Sequence, residues 1–176
     1  ETTLAVYVSD FKSEDIKHAL QTFVPGAALT PGRMNVFHFK NYTVMLDYAH
    51  NTHGMQALGK MLAHVDAPYK VGIIAVVGDR RDEDIRQQTE ILGDAFDEVV
   101  LYQDQCQRGR ADGEVLGLLR QGLENAKRTR DVKEIRGEFV AIDTAFASLK
   151  AGELCLILID QVEAALGYIR KRVIAG

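Results

Sequence analysis

The sequence predicts an α/β domain: a mostly parallel, six-stranded sheet with helices on both faces and a β-hairpin near its N-terminal end. Three observations carry that expectation. Short β-rich runs alternate with longer helical patterns after residue 42, and strand–helix–strand alternation is what parallel sheets require. Runs such as Gly72-Ile-Ile-Ala-Val-Val are apolar at successive positions, as in strands covered on both sides. The 176 residues, 47% hydrophobic and 26% charged, suit one domain whose core needs no metal or disulfide staple.

The elements follow in order. Ser13–Phe23 reads as a helix with Ser13 as its cap, and Pro25-Gly-Ala-Ala-Leu-Thr-Pro-Gly reads as a linker. Residues 1–30 are therefore expected to be the tail of a preceding unit. Asn35–Phe39 and Tyr42–Asp47 are β-branched or aromatic runs around a Lys40-Asn41 turn, a hairpin pattern. Asn51–Val65 places Met55, Leu58, Met61, Leu62 and Val65 on one helical stripe. A strand is expected at Val71–Val77, then a helix over Asp82–Phe96 with Ile85, Ile91, Leu92, Ala95 and Phe96 inward. Glu98–Tyr102 is the next strand, and Gly113–Arg128 the next helix, with Leu116, Leu119, Leu123 and Ala126. The fifth strand is expected at Glu138–Ile142, followed by a short helix at Asp143–Lys150. Leu154–Ile159 supplies the sixth strand and Asp160–Val173 the closing helix.

Composition excludes several classes. A net charge of −4, from 21 basic and 25 acidic residues, gives no overall basic field for nucleic acid or anionic lipid. The longest apolar run, Leu154–Ile159, is far short of the ~20 residues that span a bilayer. Two cysteines without a C-x-x-C pattern suit a reducing, cytoplasmic setting. The chain opens at Glu1 with no basic-then-apolar leader, so no signal peptide is expected. A start without Met further suggests a processed or excised piece. Self-association stays open.

Ligands of open α/β sheets bind beyond the carboxyl ends of the strands, so residues that follow strands carry the functional expectation. Asp47-Tyr-Ala-His-Asn51 leaves a strand and enters a helix. Asp47 and His50 occupy the crevice position there, Asn51 can cap the helix, and the free amides of the helix start can meet an anion. The plainer alternative is a capped turn with a solvent-facing histidine. Val77-Gly-Asp-Arg-Arg-Asp82 follows the most apolar strand, and Arg80 and Arg81 can fork onto carboxylate or phosphate. Its alternative is a solvated charge run whose acids favour the first helical turn. Gln107-Arg-Gly-Arg110 brings Arg108 and Arg110 to the same edge. Four guanidinium groups there repel unless an anion or acids such as Asp79, Asp82 and Asp104 offset them, so some belong to structural pairs. His18, His38 and His64 lack partners at ligand spacing, and no His, Cys or carboxylate set suggests a metal site. Cys155 reads as a small core residue and Cys106 as a loop thiol without a neighbouring histidine. Neither G-x-G-x-x-G nor G-x-x-x-x-G-K-[ST] occurs, so the chain has no phosphate loop of its own.

Taken in order, Pro31-Gly-Arg33-Met-Asn-Val-Phe, Leu46-Asp-Tyr-Ala-His-Asn51, Val77-Gly-Asp-Arg-Arg81, Arg108-Gly-Arg110 with Gly113-Glu114, and Gly152-Glu-Leu-Cys-Leu-Ile-Leu resemble the carboxy-terminal domain of Mur-type ligases over residues 31–176. The resemblance implies a Rossmann-like domain that closes over a central P-loop domain, with residues 1–30 as the end of that ATPase domain. Such ligases activate a carboxylate with ATP as an acyl phosphate, and the amine of an incoming amino acid displaces phosphate to form an amide. By the family pattern Arg33, Asp47, His50 and Asn51 face the nucleotide, and Arg80, Arg81, Arg108 and Arg110 bind the amino acid's carboxylate, with Arg80 and Arg110 the expected direct contacts. ATP and Mg2+ are then held mainly by the central domain, and no catalytic residue lies in this piece, which alone is expected to be inactive. Thr52 and His53 stand where the family usually has Pro and a small residue, which removes some preorganisation of the helix start. The alternative expectation is a free-standing Rossmann-like module that binds an anion or nucleotide, or regulates another protein, without catalysis.

Overall fold

A computed structural model describes residues 9, 11–23, 26–103 and 108–175. The strands are β1 (Asn35–His38), β2 (Thr43–Asp47), β3 (Lys70–Ile74), β4 (Glu98–Gln103), β5 (Asp131–Arg136) and β6 (Leu154–Leu158). The helices are α1 (Ser13–Thr22), α2 (Thr52–His64), α3 (Asp82–Leu92), α4 (Glu114–Leu123), α5 (Glu138–Ser148) and α6 (Val162–Ala175). One sheet holds all six strands in the order β1-β2-β6-β3-β4-β5. β1 runs antiparallel to β2 and every other pairing is parallel. The hairpin closes with the Phe39 N–H on the Tyr42 carbonyl at 2.9 Å, so the expected turn at Lys40-Asn41 is present.

Each central strand buries both of its faces, which explains the unbroken apolar runs. On one side Ile74, Val99, Leu101 and Leu156 meet Met55 and Leu62 of α2, Ile85 and Leu92 of α3, and Leu116 and Leu119 of α4. On the other, Val44, Ile73, Val100 and Ile157 meet Ala141 and Ile142 of α5 and Ala165 and Ile169 of α6. The result is the expected Rossmann-like, three-layered α/β arrangement. Because β3 leads into α3 on one face and β6 into α6 on the other, a crevice opens between neighbouring strand ends.

Several local expectations need correction. The fifth strand is Asp131–Arg136, and Glu138–Ile142 is the opening of α5, which absorbs the separately expected helix at Asp143–Lys150. β5 is an edge strand whose two apolar residues, Val132 and Ile135, pack onto opposite faces, so it shows neither alternation nor a continuous apolar run. Gly137, at φ 92°, turns the chain from β5 straight into α5. β3 stops at Ile74, leaving residues 75–77 outside the sheet. α3 and α4 stop at Leu92 and Leu123, short of the expected Phe96 and Arg128. Ser13 is the first helical residue rather than the cap; Lys12 precedes it and makes no side-chain cap bond. α1 buries none of its residues.

Candidate functional site

The hinge-side residues form a stitched corner. Gly32 accepts from the Tyr48 N–H at 2.8 Å, and Arg33 Nη1 donates to the Tyr48 carbonyl at 3.1 Å. The Met34 N–H donates to Asp47 Oδ2 at 2.8 Å. Met34 has φ 46°, a strained value for such a side chain, and the buried Asp47 carboxylate holds it there. The buried Asn35 completes the corner, accepting from Gly32 N at 2.7 Å and donating to the carbonyls of Thr30 and Arg33. Arg33 lies over the Tyr48 ring with its guanidinium carbon 5.5 Å from the centroid.

Asn51 is the N-cap of α2, its Oδ1 taking the Gly54 N–H at 2.8 Å. His50 Nδ1 lies 3.0 Å from the Tyr48 carbonyl. Only a protonated Nδ1 can bond to a carbonyl oxygen, so the neutral ring presents Nε2 as an acceptor. His50 lines a cleft of about 240 Å³ at the carboxyl ends of β2, β3, β4 and β6.

Only two of the four arginines line this cleft. Arg80, half-buried, makes no side-chain hydrogen bond or ion pair among the described residues, and it borders the cleft. Arg108 also borders it, at φ 48°, with Nη1 on Asp79 Oδ2 at 2.7 Å. Arg81 turns away and forks onto Asp84 at 2.8 and 2.9 Å; those bonds hold the Asp84 carboxyl below its ordinary range. Arg110 is engaged on several sides. It donates to the carbonyls of Gly78 (2.6 Å) and Arg80 (2.5 Å) and pairs with Asp82 (2.8 Å) and Glu114 (2.6 Å). It thereby fixes the loop that presents Arg80. The expected offset by Asp79 and Asp82 is present, while Asp104, Cys106 and Gln107 fall outside the described residues.

Gln103, at the end of β4, braces the next loop by donating to Asp112 (2.6 Å) and accepting from Gly113 N (3.1 Å). Arg136 forks onto the same Asp112 at 2.6 and 2.9 Å. Tyr102 reaches under the end of β3, its hydroxyl donating to the Leu158 carbonyl at 3.0 Å. Sequence reasoning passed over Asn35, Gln103 and Gln88. Gln88 borders the cleft from α3 and is 2% exposed. Its signal was available: Ile85, Gln88, Thr89 and Leu92 are the buried stripe of α3, with an amide where helical spacing calls for an apolar side chain. Cys155 is fully buried, and burial pushes its thiol far up, as suits a core residue.

Among the described residues no three His, Cys, Asp or Glu side chains converge as a metal site. No helix is long and apolar enough to cross a membrane among the described residues.

A family model described as Mur ligase, glutamate ligase domain, matches residues 32–158. Cyanophycin synthetase of Geminocystis herdmanii is 34% identical over 169 residues, covering 96% of this chain and 19% of that protein. UDP-N-acetylmuramoyl-L-alanyl-D-glutamate–2,6-diaminopimelate ligase of Xylella fastidiosa is 30% identical over 97% of this chain and 32% of its own length. The chain therefore spans less than a third of either relative. Among solved structures, E. coli FolC in complex with ADP gives a TM-score of 0.71 at 21% identity, over 98% of this chain and 38% of FolC. That likeness speaks for the fold. With the motif order, the six-stranded sheet and the family match over residues 32–158 all in agreement, the chain belongs to the Mur ligase family as its carboxy-terminal, glutamate ligase domain.

Proposed function

We propose that this chain is the amino-acid-receiving domain of a cytoplasmic, ATP-dependent amide ligase similar to the cyanophycin synthetases. Residues 31–176 form the domain and residues 1–30 end a central P-loop domain, which holds most of the ATP and Mg2+. The incoming amino acid enters the strand-end cleft with its α-carboxylate on Arg80, assisted by Arg108. Its amine then points out toward the activated carboxylate and displaces phosphate to form the amide. An amine nucleophile needs alignment, and anchoring the distant carboxylate supplies it. Arg33, His50 and Asn51 face the nucleotide; Asp47 acts there by holding the Met34 corner in shape. Arg81 and Arg110 serve the same site as positioning residues, through Asp84 and through the loop carbonyls.

The observation that carries this reading is Arg80: a half-buried guanidinium with no acceptor among the described residues, beside a cleft at the strand ends. In the full-length ligase Arg80→Ala raises the amino-acid KM by about ten- to hundredfold, the cost of a lost charge-assisted contact, with the KM for ATP unmoved. Steady-state kinetics with each substrate varied singly check it, and an unchanged amino-acid KM would remove the cleft from the mechanism. The 176-residue chain by itself releases no phosphate from ATP, because nothing in it scaffolds the transferred phosphoryl group. Amino-acid-stimulated phosphate release by the purified chain would contradict that.

A further inference from the structure

We infer that Gln88 is a specificity-determining residue of the cleft, and that the amino acid it admits carries a polar, hydrogen-bonding side chain. The inference rests on the amino-acid-receiving reading of the cleft and names the substrate class. Gln88 lies on α3, is 2% exposed and lines the cleft. Its side-chain amide makes no hydrogen bond among the described residues, and Oε1 is fully buried without a partner. The neighbouring residue shows what a structural polar group on this helix looks like: Thr89 Oγ1 donates to the Leu119 carbonyl at 2.8 Å. Buried amides are almost always satisfied, and one left open on the wall of a cleft is complementary to what enters it. Val76 and Val115 line the same cleft.

The partner's place follows from that reading of the cleft. With the α-carboxylate on Arg80 and the amine directed out of the cleft, the part of the amino acid that reaches the interior wall is its side chain. A site built to hydrogen-bond a substrate group rejects the analogue lacking it, because the protein's own polar group is then left unpaired. An apolar side chain would bury the Gln88 amide without a partner.

The test is Gln88→Met, which keeps the volume and removes both amide atoms. Melting of the 176-residue chain comes first. Its Tm should stay level or rise, since no intramolecular hydrogen bond is lost. In the full-length ligase, each of the twenty amino acids is then varied singly. The wild type should prefer a polar side chain, and Gln88→Met should narrow its kcat/KM advantage over leucine and methionine by about ten- to hundredfold, with the KM for ATP unmoved. A lower Tm would make the amide structural and overturn the inference. So would a wild-type preference for an apolar amino acid, or a ratio unchanged within twofold. If Arg80→Ala raises the amino-acid KM while Gln88→Met leaves selectivity alone, only the inference about Gln88 falls. If neither variant moves any amino-acid KM, the reading of the cleft falls with it.

Discussion

Arg80 and Arg110 are chemically the same side chain in opposite circumstances. Arg110 bonds two loop carbonyls and two carboxylates, whereas Arg80 has no acceptor among the described residues. Arg110→Ala should therefore lower Tm by a few degrees and lower activity through the displaced loop, while Arg80→Ala leaves Tm in place and acts on substrate binding. Arg110→Lys should recover little, because an ammonium cannot hold carbonyls and carboxylates in one planar fork. Thermal unfolding of the three variants beside their amino-acid KM values separates the roles. The sequence made the arginine edge legible as a group, since four guanidiniums follow two strands. It could not divide them, because the division depends on which acids and carbonyls the folded loops bring within 3 Å. Gln88 was legible only as an amide in a buried helical stripe, and Asn35 not at all, for a related reason: an amide's importance lies in whether it has a partner, and composition does not carry that.

At the scale of elements, the sequence revealed the strands buried on both faces and the hairpin, and hid the edge strand β5. β3, β4 and β6 were plain as apolar runs, and the β1–β2 hairpin as a turn between β-rich runs. β5 was missed because all six of its residues are at least partly exposed and three of them face charge partners: Lys133 pairs with Glu98 (2.6 Å), Glu134 with Arg120 (2.5 Å) and Arg136 with Asp112 (2.6 Å). α5 was misassigned because its first apolar residues imitate a strand until the helical period becomes visible. The end of the sheet away from the cleft depends on another carboxylate, Asp97. It takes the Lys70 N–H at 2.8 Å and the Arg128 fork at 2.8 and 3.1 Å, joining the start of β3 to the approach to β5. Burial raises its pKa, but the bonds from Arg128 and Lys70 outweigh that and hold the carboxyl below its ordinary value. A depressed carboxyl stabilises the fold above its unfolded pKa and loses that contribution as pH falls through the folded value. Asp97→Asn should cost about 2 kcal/mol at neutral pH. The gap to wild type should close only as pH drops below about 3.8. Denaturant titrations at stepped pH check it; a gap independent of pH would mean the carboxylate's charge contributes nothing.

Over the whole molecule, the stabilising contacts among the described residues begin part-way through the segment assigned to the preceding unit. α1 buries none of its residues, and Phe11, Leu20 and Phe23 are exposed. From Gly26 onward the chain is engaged: Thr30 bonds back to Gly26, Ala27 packs on the α5–α6 side of the core, and the Thr30 carbonyl accepts from Asn35. Gly32, Arg33 and Met34 then fasten to Tyr48 and Asp47. Hydrophobic stabilisation scales with apolar area removed from water, and an exposed helix removes little. Deleting residues 1–23 should therefore leave Tm within about 2 °C of the whole chain. Deleting residues 1–34 should lower it much further, because the Asp47 carboxylate loses the Met34 N–H and Tyr48 loses the Gly32 carbonyl and the Arg33 guanidinium. Calorimetry on the two truncations decides between a helix that belongs to a neighbouring domain and one that this fold requires. A large loss from the first deletion would place residues 1–23 inside the domain.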